Sequence, residues 1–447
     1  MTSAGLSHLE QALDSFEAPR RRRALLRLAE LARRREVTLP ETGDWVNLHC
    51  HTFYSYNPYG YSPSKLAWLA RRAGLAVAGI VDFDVLDGLE EFHRAGRLLN
   101  LKTCVGLETR VYVPEFAQAV MNSPGEPGIS YHMGVGFPSA RLDRRARRFL
   151  ASLRRTSEER NRALVERVNA YLKPVTLDYD RDVLPLTPRG NATERHLCLA
   201  YAQRAAAVFP GRDALAAFWS ERLGLDAREL DLPDGFRLQS AIRAKTMKQG
   251  GVGYVQPDRG SFPRLHETCE FVLAAGGIPT HTWLDGTSDG EQRMAELLEV
   301  EIRSGVAALN VIPDRNYTPE HPDEKLRNLQ EVVALADTLG LLVVAGTEMN
   351  SPGHKLVDDF SGAELAPLLP LFRRSAYAVY AHSVLQRASR LGYTSEWARR
   401  HFPALRHRAE FFAAVGEALV VAREGALDGL SDDASPDAVL AAARGAA

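Results

Sequence analysis

Two histidines one residue apart, His49 and His51, close the apolar run WVNLHCH. Residues i and i+2 of a strand project from the same face, so both imidazoles would converge on one point. Paired neutral imidazoles suit a divalent metal. Other apolar runs carry similar residues at their ends: Glu108 ends VGLET, His132 opens SYHMGVG, His281 ends IPTHTW and Glu348 ends VVAGTEM. Four histidines and two carboxylates spread over strand ends are the donor set that a two-metal site needs, with a carboxylate to bridge and further ligands for each ion. Bound metal lowers the pKa of water toward about 7 and so supplies a nucleophile at neutral pH.

The surrounding sequence must supply the strands. From Trp45 onward, WVNLHCH, AVAGIVDFD, TCVGLETRVYV, YHMGVGF, IPTHTW, VAALNVIP, LLVVAGTEMN and AVYAHS read as strands. Helical patterns at 63–73, 86–99, 264–275, 290–303 and 324–338 lie between most of them. This alternation predicts βα units around a parallel sheet. Seven or eight units favour a barrel, whose active site forms at the C-terminal strand ends. The barrel is expected over 41–140 and 261–390, and Trp45 and Phe149 are expected in the core of the protein. Residues 141–260 break the pattern, being arginine-rich and then proline-rich, and predict a mostly helical insertion or cap. Residues 1–40 form a helical extension, and 391–447 form C-terminal helices. His8, His93, His266, His321, His401 and His407 fall on helical or loop patterns and read as surface residues. His382 ends AVYAHS, where a strand end would let it donate a proton.

Lys plus Arg number 55 against 56 Asp plus Glu, a net charge of −1. Nothing here points to a nucleic acid larger than a small nucleotide, or to a membrane surface, as the partner. The run Arg20 to Arg23 lies in a stretch (1–40) with eight Arg against five acidic residues, a net of +3. It reads as a solvated helical face. Cys50, Cys104, Cys198 and Cys269 form no CxxC pair, and neither a signal peptide nor a membrane span is visible, so a reducing cytoplasm is the expected compartment. Oligomeric state is not legible.

In order along the chain, HCHT at His49 to Thr52, VDFD at Val81 to Asp84, GLE ending at Glu108, IPTH ending at His281 and AGTEMN near the C-terminus resemble the motifs of the polymerase and histidinol phosphatase (PHP) family. The resemblance covers about residues 45–140 and 260–385. It implies a distorted (β/α)7 barrel holding two or three metal ions, and phosphate monoester hydrolysis. The departures are grouped. A family Asp-His-Asp is here Asp82-Phe83-Asp84, a family Asp-x-His is Glu348-Met349-Asn350, and Asn57 stands where a third histidine is common. Those histidines serve a third metal in trinuclear members, so the resemblance implies a binuclear site here. His49, His51, Glu108 and Glu348 would hold one ion, with Glu108 bridging to a second ion on His132 and His281. Asp82 would orient a ligand histidine, and Glu348 is also a candidate proton carrier.

The segment from Ser157 to Leu172 with ATERHLCLAYAQRA resembles the insertion of the nucleoside bisphosphate phosphatase branch, which makes Arg160, Arg162, Arg195 and His196 candidate phosphate contacts. Guanidinium groups present a bidentate donor fork to phosphate. Lys248 with the glycine-rich loop and Arg259, and His354 with Lys355, are further candidate anion cradles. The expectation is therefore a phosphoesterase using hydroxide generated by two divalent ions (Mn2+, Zn2+ or Fe2+) on a small phosphorylated substrate. Hydrolysis of a carboxylic ester, lactone or amide on the same metals is the alternative. A non-catalytic metal-binding regulatory or scaffold protein is a second alternative.

Overall fold

The computed structural model describes residues 3–313 and 321–445. Seven strands follow one another in a single sheet: β1 (Val46–Asn47), β2 (Val77–Phe83), β3 (Lys102–Tyr112), β4 (Ile129–Val135), β5 (Ile278–Thr282), β6 (Ala308–Val311) and β7 (Leu342–Ala345), in spatial order β1 to β7. Past the end of β1, a parallel bridge from Cys50 to Glu348 and the bond from Leu48 N to Ala345 O (2.9 Å) join the first strand to the last. The result is a nearly closed barrel. Its β1–β2, β2–β3, β5–β6 and β6–β7 pairs are parallel.

The helices of this part are α1 (Ser3–Ala12), α2 (Ala18–Arg33), α3 (Pro63–Arg72) and α4 (Leu89–Leu99) before the insertion. After it come α9 (Leu265–Ala274), α10 (Met294–Arg303), α11 (Pro322–Leu339), α12 (Leu369–Ser389), α13 (Glu396–His401), α14 (Leu405–Ala418) and α15 (Pro436–Arg444). Local chemistry sets several boundaries. Ser62 accepts from Lys65 N at the start of α3, where Pro63 supplies a pre-set φ, and Asn100 closes α4 in the left-handed conformation.

Two expectations are corrected. The sheet is not wholly parallel: β4 runs antiparallel to both β3 and β5. Between β3 and β4 the described chain contains only the short 3-10 turn Pro114–Phe116, with no crossover helix to return it in parallel. The run AVYAHS is not an eighth strand but the middle of α12, a helix of 21 residues packed on α14 and β7. A short apolar run reads equally as a buried strand or a buried helix. Trp45, expected in the core, is 43% exposed, just ahead of β1. Phe149 is half-buried and stacks on Phe271 at 4.9 Å. His93, expected on the surface, is buried, with Nδ1 3.0 Å from Thr103 Oγ1 and Nε2 3.2 Å from Phe137 O.

The chain forms two compact units. One comprises residues up to Thr52, Asn57–Phe149 and Arg259 onward; the other comprises Phe53–Tyr56 and Leu150–Asp258. In the first, the arginine run of α2 is exposed except at Arg21, which is buried and donates from Nε to Glu91 Oε1 at 2.8 Å. The second has its own core of Leu172, Leu197, Tyr201, Trp219 and Ile242. It is built from the C-terminal part of α5 (Arg144–Leu172) with α6 (Glu194–Val208), α7 (Arg212–Leu223) and α8 (Phe236–Thr246). Among the described residues no helix is long and apolar enough to cross a membrane, and all four cysteines are buried free thiols.

Candidate metal centre

The chain beyond β1 is tightly wedged between its neighbours. A Cβ at Gly79 would lie 2.5 Å from Leu48 O, and a Cβ at Gly346 would overlap the backbone of His49. Only glycine permits so close an approach on both flanks. Asn47 braces the run by accepting from His49 N (3.0 Å) and donating to Thr347 Oγ1 (2.8 Å) and Leu356 O (2.7 Å).

His49 and His51 are fully buried, and their Nε2 atoms are 3.3 Å apart. Glu108 on β3 adds Oε2 at 3.4 Å from His51 Nε2 and 3.8 Å from His49 Nε2. These three donors could hold a metal ion. Donors about 2.0–2.2 Å from a common tetrahedral ion lie about 3.4 Å from one another, close to the spacing found, so the residues fit the group. Burial, more than any neighbouring charge, pushes both imidazoles below their ordinary pKa, which keeps them in the neutral form that ligates metal. Asn310 Nδ2 donates to Val344 O (3.0 Å), which leaves its Oδ1, 3.1 Å from His49 Nδ1, to accept that proton. His49 Nε2 is thereby left as the donor atom toward the cluster. Asn310 is the lone polar residue of an apolar strand, a signal that sequence reading passed over.

The departures from the family pattern acquire concrete roles. Phe83 stacks on His51 at 4.5 Å between ring centres. Asn57 donates to His51 O (3.0 Å) and Met349 O (3.2 Å), and accepts from Tyr59 N and Tyr61 N, tying two loops together. Asp82 is buried and accepts from Thr52 N (2.8 Å) and Thr52 Oγ1 (2.7 Å), fixing the turn after His51. Glu348 and Met349 both adopt left-handed φ, 60° and 49°, a conformation that costs non-glycine residues of order 1 kcal/mol or more each. Glu348 O accepts from His51 N at 2.7 Å, and the Glu348 charge acts on both histidines. His354 lies near enough to act on His51 in turn, with its Nδ1 buried and lacking a hydrogen-bond partner among the described residues.

His132 and His281 do not join this cluster, which corrects the six-ligand expectation. In β4, Gly134 faces outward, where an added Cβ would meet Val272 of α9 at 2.7 Å, and His132 shares that face. His281 pairs with His132 across the strands and so points the same way. On the opposite face of β5, Thr282 is in register with Asn310, the partner of His49. The two histidines instead meet Glu301 of α10, fully buried, with Nδ1 of His281 2.9 Å from Oε1 and Nδ1 of His132 3.6 Å from Oε2. His132 Nε2 faces Cys269 Sγ at 3.6 Å. Burial opposes charge on His132, but Cys269 and Glu301 outweigh it and push the group up to about 9. Burial likewise acts to raise Glu301, and the two histidines overcome it, holding the carboxyl down at about 2. Sequence reading missed Glu301, although it falls on the buried stripe Met294, Leu297, Leu298, Glu301 of α10.

His382 is corrected as well. It is buried within α12, with Nε2 2.8 Å from Gly276 O and Nδ1 accepting from Tyr393 N at 2.8 Å. Both ring nitrogens are engaged, and burial pushes the group down to about 4, so it is a structural link rather than a proton donor.

In the helical unit, Arg162 is bound by both oxygens of Asp180 and by Glu158, and lies over the Tyr179 ring. His196 is buried as the capping partner of Thr193, and burial lowers it to about 4. Lys248 pairs with Glu194, which Arg243 shares. Arg195 donates to Ser240 Oγ and stacks on Phe236. Arg160 is half-buried on α5. In the barrel unit, Arg259 and Lys355 are exposed.

The chain matches no protein-family model and no curated protein. Among solved structures it is similar to an amidohydrolase from Chromobacterium violaceum, determined with bound sulfate and no metal. That protein is 17% identical, and 70% of this chain aligns with 91% of that one at a TM-score of 0.49. It is also similar to a protein from Bifidobacterium adolescentis provisionally assigned as a metal-dependent phosphoesterase. Here the identity is 20%, the coverage 74% of this chain and 97% of that one, and the TM-score 0.47.

Proposed function

We propose that this protein is a metal-dependent hydrolase of a phosphate ester, with one divalent ion held by His49, His51 and Glu108. The observation that carries the reading is the convergence of these three buried donors at one end of the barrel. A bound Mn2+, Zn2+ or Fe2+ would supply positive charge to the phosphoryl oxygens and acidify a water molecule. The chain's own residues do the rest. Asn310 fixes the tautomer and ring orientation of His49, and Asp82 with Thr52 fixes the turn that aims His51. Phe83 covers one side of the His51 ring and excludes water there. Glu348, whose charge acts on both histidines, is a further carboxylate that could join the donor set or accept a proton. A phosphate ester is favoured because HCHT, VDFD, GLE, IPTH and AGTEMN follow the order of the PHP family. One ion is favoured over two because His132 and His281 turn away to Glu301.

The test is metal content by mass spectrometry together with turnover of phosphate monoesters, bisphosphates, diesters, lactones and amides, beside His49→Ala and Glu108→Ala. The expected result is about one tightly bound ion per chain and phosphate ester turnover that both substitutions abolish. Turnover of lactones or amides alone, or no turnover with metal bound, would overturn the reading.

A further inference from the structure

We propose that the N-terminal hairpin of α1 and α2 is a positioning element of the metal centre: by gripping the start of α3 it fixes the loop 57–62, which in turn fixes His51. This rests on the reading above that His49, His51 and Glu108 hold an ion. In α1, Glu10 Oε1 accepts from Trp68 Nε1 (2.7 Å) and Arg72 Nη1 (2.6 Å), and Glu10 O accepts from Lys65 Nζ (2.8 Å). Just past α1, Leu13 is fully buried and its carbonyl accepts from Ser62 Oγ at 2.6 Å. Asp14 accepts from Ser62 N at 3.4 Å and pairs with Lys65 Nζ at 3.5 Å. From α2, Arg21 reaches Glu91, whose Oε1 also accepts from Ser64 Oγ at 2.7 Å. Ser62 is thus the N-cap of α3 and an anchor of the hairpin at once. Arg21, Ser62, Ser64 and Trp68 are all buried. Such an anchor admits one arrangement, because a buried polar partner lost there is left unsatisfied.

Ser62 ends a loop whose other end belongs to the metal centre. Asn57 is buried, and both hydrogens of its amide are spent, on His51 O (3.0 Å) and Met349 O (3.2 Å). Its oxygen accepts from Tyr59 N (3.0 Å) and Tyr61 N (3.2 Å). An asparagine side chain has two donors and two acceptor sites, so Asn57 is saturated. A displacement of Ser62 must then break one of these bonds or move His51. The aromatic side of the loop carries the same link. Lys65 Nζ lies over the Tyr61 ring at 5.6 Å, Tyr61 stacks on Tyr59 at 5.2 Å, and the Tyr59 hydroxyl accepts from Gly353 N at 3.0 Å. The loop therefore joins the backbone beyond β1, at His51, to the segment beyond β7, at Met349 and Gly353. The hairpin holds that joint from outside, through residues that touch no metal donor themselves.

Titration of the full chain with Co2+, followed by visible absorption, tests this. Glu10→Ala combined with Asp14→Ala should weaken Co2+ binding about tenfold, as loss of a group that orients a metal ligand does, and should alter the absorption bands, which report donor geometry. His382→Gln, which loosens α12 without touching the hairpin, should change neither. Asn57→Ala should weaken binding too, and the hairpin changes should add nothing in its background, because they act through the same loop. Equal affinity in the wild type and the hairpin variant, or losses that multiply when the changes are combined with Asn57→Ala, would overturn the proposal while leaving the metal reading intact. If the wild type binds no Co2+, the metal reading falls, and hydrogen exchange over residues 48–62 decides the hairpin's role. Faster exchange there in the hairpin variant supports it, and an unchanged rate refutes it. Should the hairpin variant fail to fold by circular dichroism, Asp14→Asn is measured in its place.

Discussion

Replacing Glu301 with Gln separates the two histidine clusters experimentally. Glu301 is 0% exposed, 2.9 Å from His281 Nδ1 and 3.6 Å from His132 Nδ1, so Glu301→Gln removes the anion that stabilises a buried imidazolium and keeps nearly the same shape. In this environment His132 is pushed from an ordinary 6.5 up to about 9, by Cys269 first and Glu301 next. Breaking a buried ion pair by removing one partner costs about 3–5 kcal/mol. The sign follows from the raised pKa. The contribution is complete below pH 6.5 and is lost as pH climbs through about 9. The depressed Glu301 sets the other limit, its contribution being present above pH 4.5 and lost as pH falls toward 2. Urea denaturation of metal-free protein should therefore show the variant weaker by about 3–5 kcal/mol near pH 6 and the gap narrowing by pH 9.5. Metal content should be unchanged, because neither histidine reaches His49, His51 and Glu108. A variant as stable as the wild type at pH 6, or one that loses its metal, would refute the arrangement.

Two further substitutions probe the scaffold. Gly346→Ala places a methyl group against the His49 backbone; overpacking of this kind costs about 1–3 kcal/mol and should weaken metal binding, measured by competition with a chromogenic chelator. His382→Gln should lower the thermal midpoint through the lost links to Gly276 O and Tyr393 N, at about 1–3 kcal/mol, while kcat/KM of the surviving enzyme stays at the wild-type value.

The candidate metal cluster was more legible in the sequence than its limits were. His49 and His51 follow from strand periodicity alone, and Glu108 from its place in an apolar run. The same logic failed at His132 and His281 because it identifies strands but not which face a given residue occupies. A strand buried on both sides can hide a histidine in either direction. The partner that settles their direction, Glu301, belongs to a helix 20 residues beyond His281. Tertiary packing likewise decided AVYAHS, where only the length of the surrounding apolar pattern distinguished helix from strand. In the insertion, residue type pointed to phosphate-binding arginines, but type alone does not reveal that Arg162 already has Asp180 and Glu158 as neighbours.

The bond from His51 N to Glu348 O and the Cys50–Glu348 bridge lie on the seam where the first strand meets the last. Closing the barrel and assembling the donor cluster are therefore one folding event: a chain whose seam gapes has no His49–His51 geometry to offer. By the same coupling, an ion captured there would act as a clasp, and its free concentration would set how tightly the ends of the sheet hold together, with added stability growing as RT ln(1 + [M]/Kd).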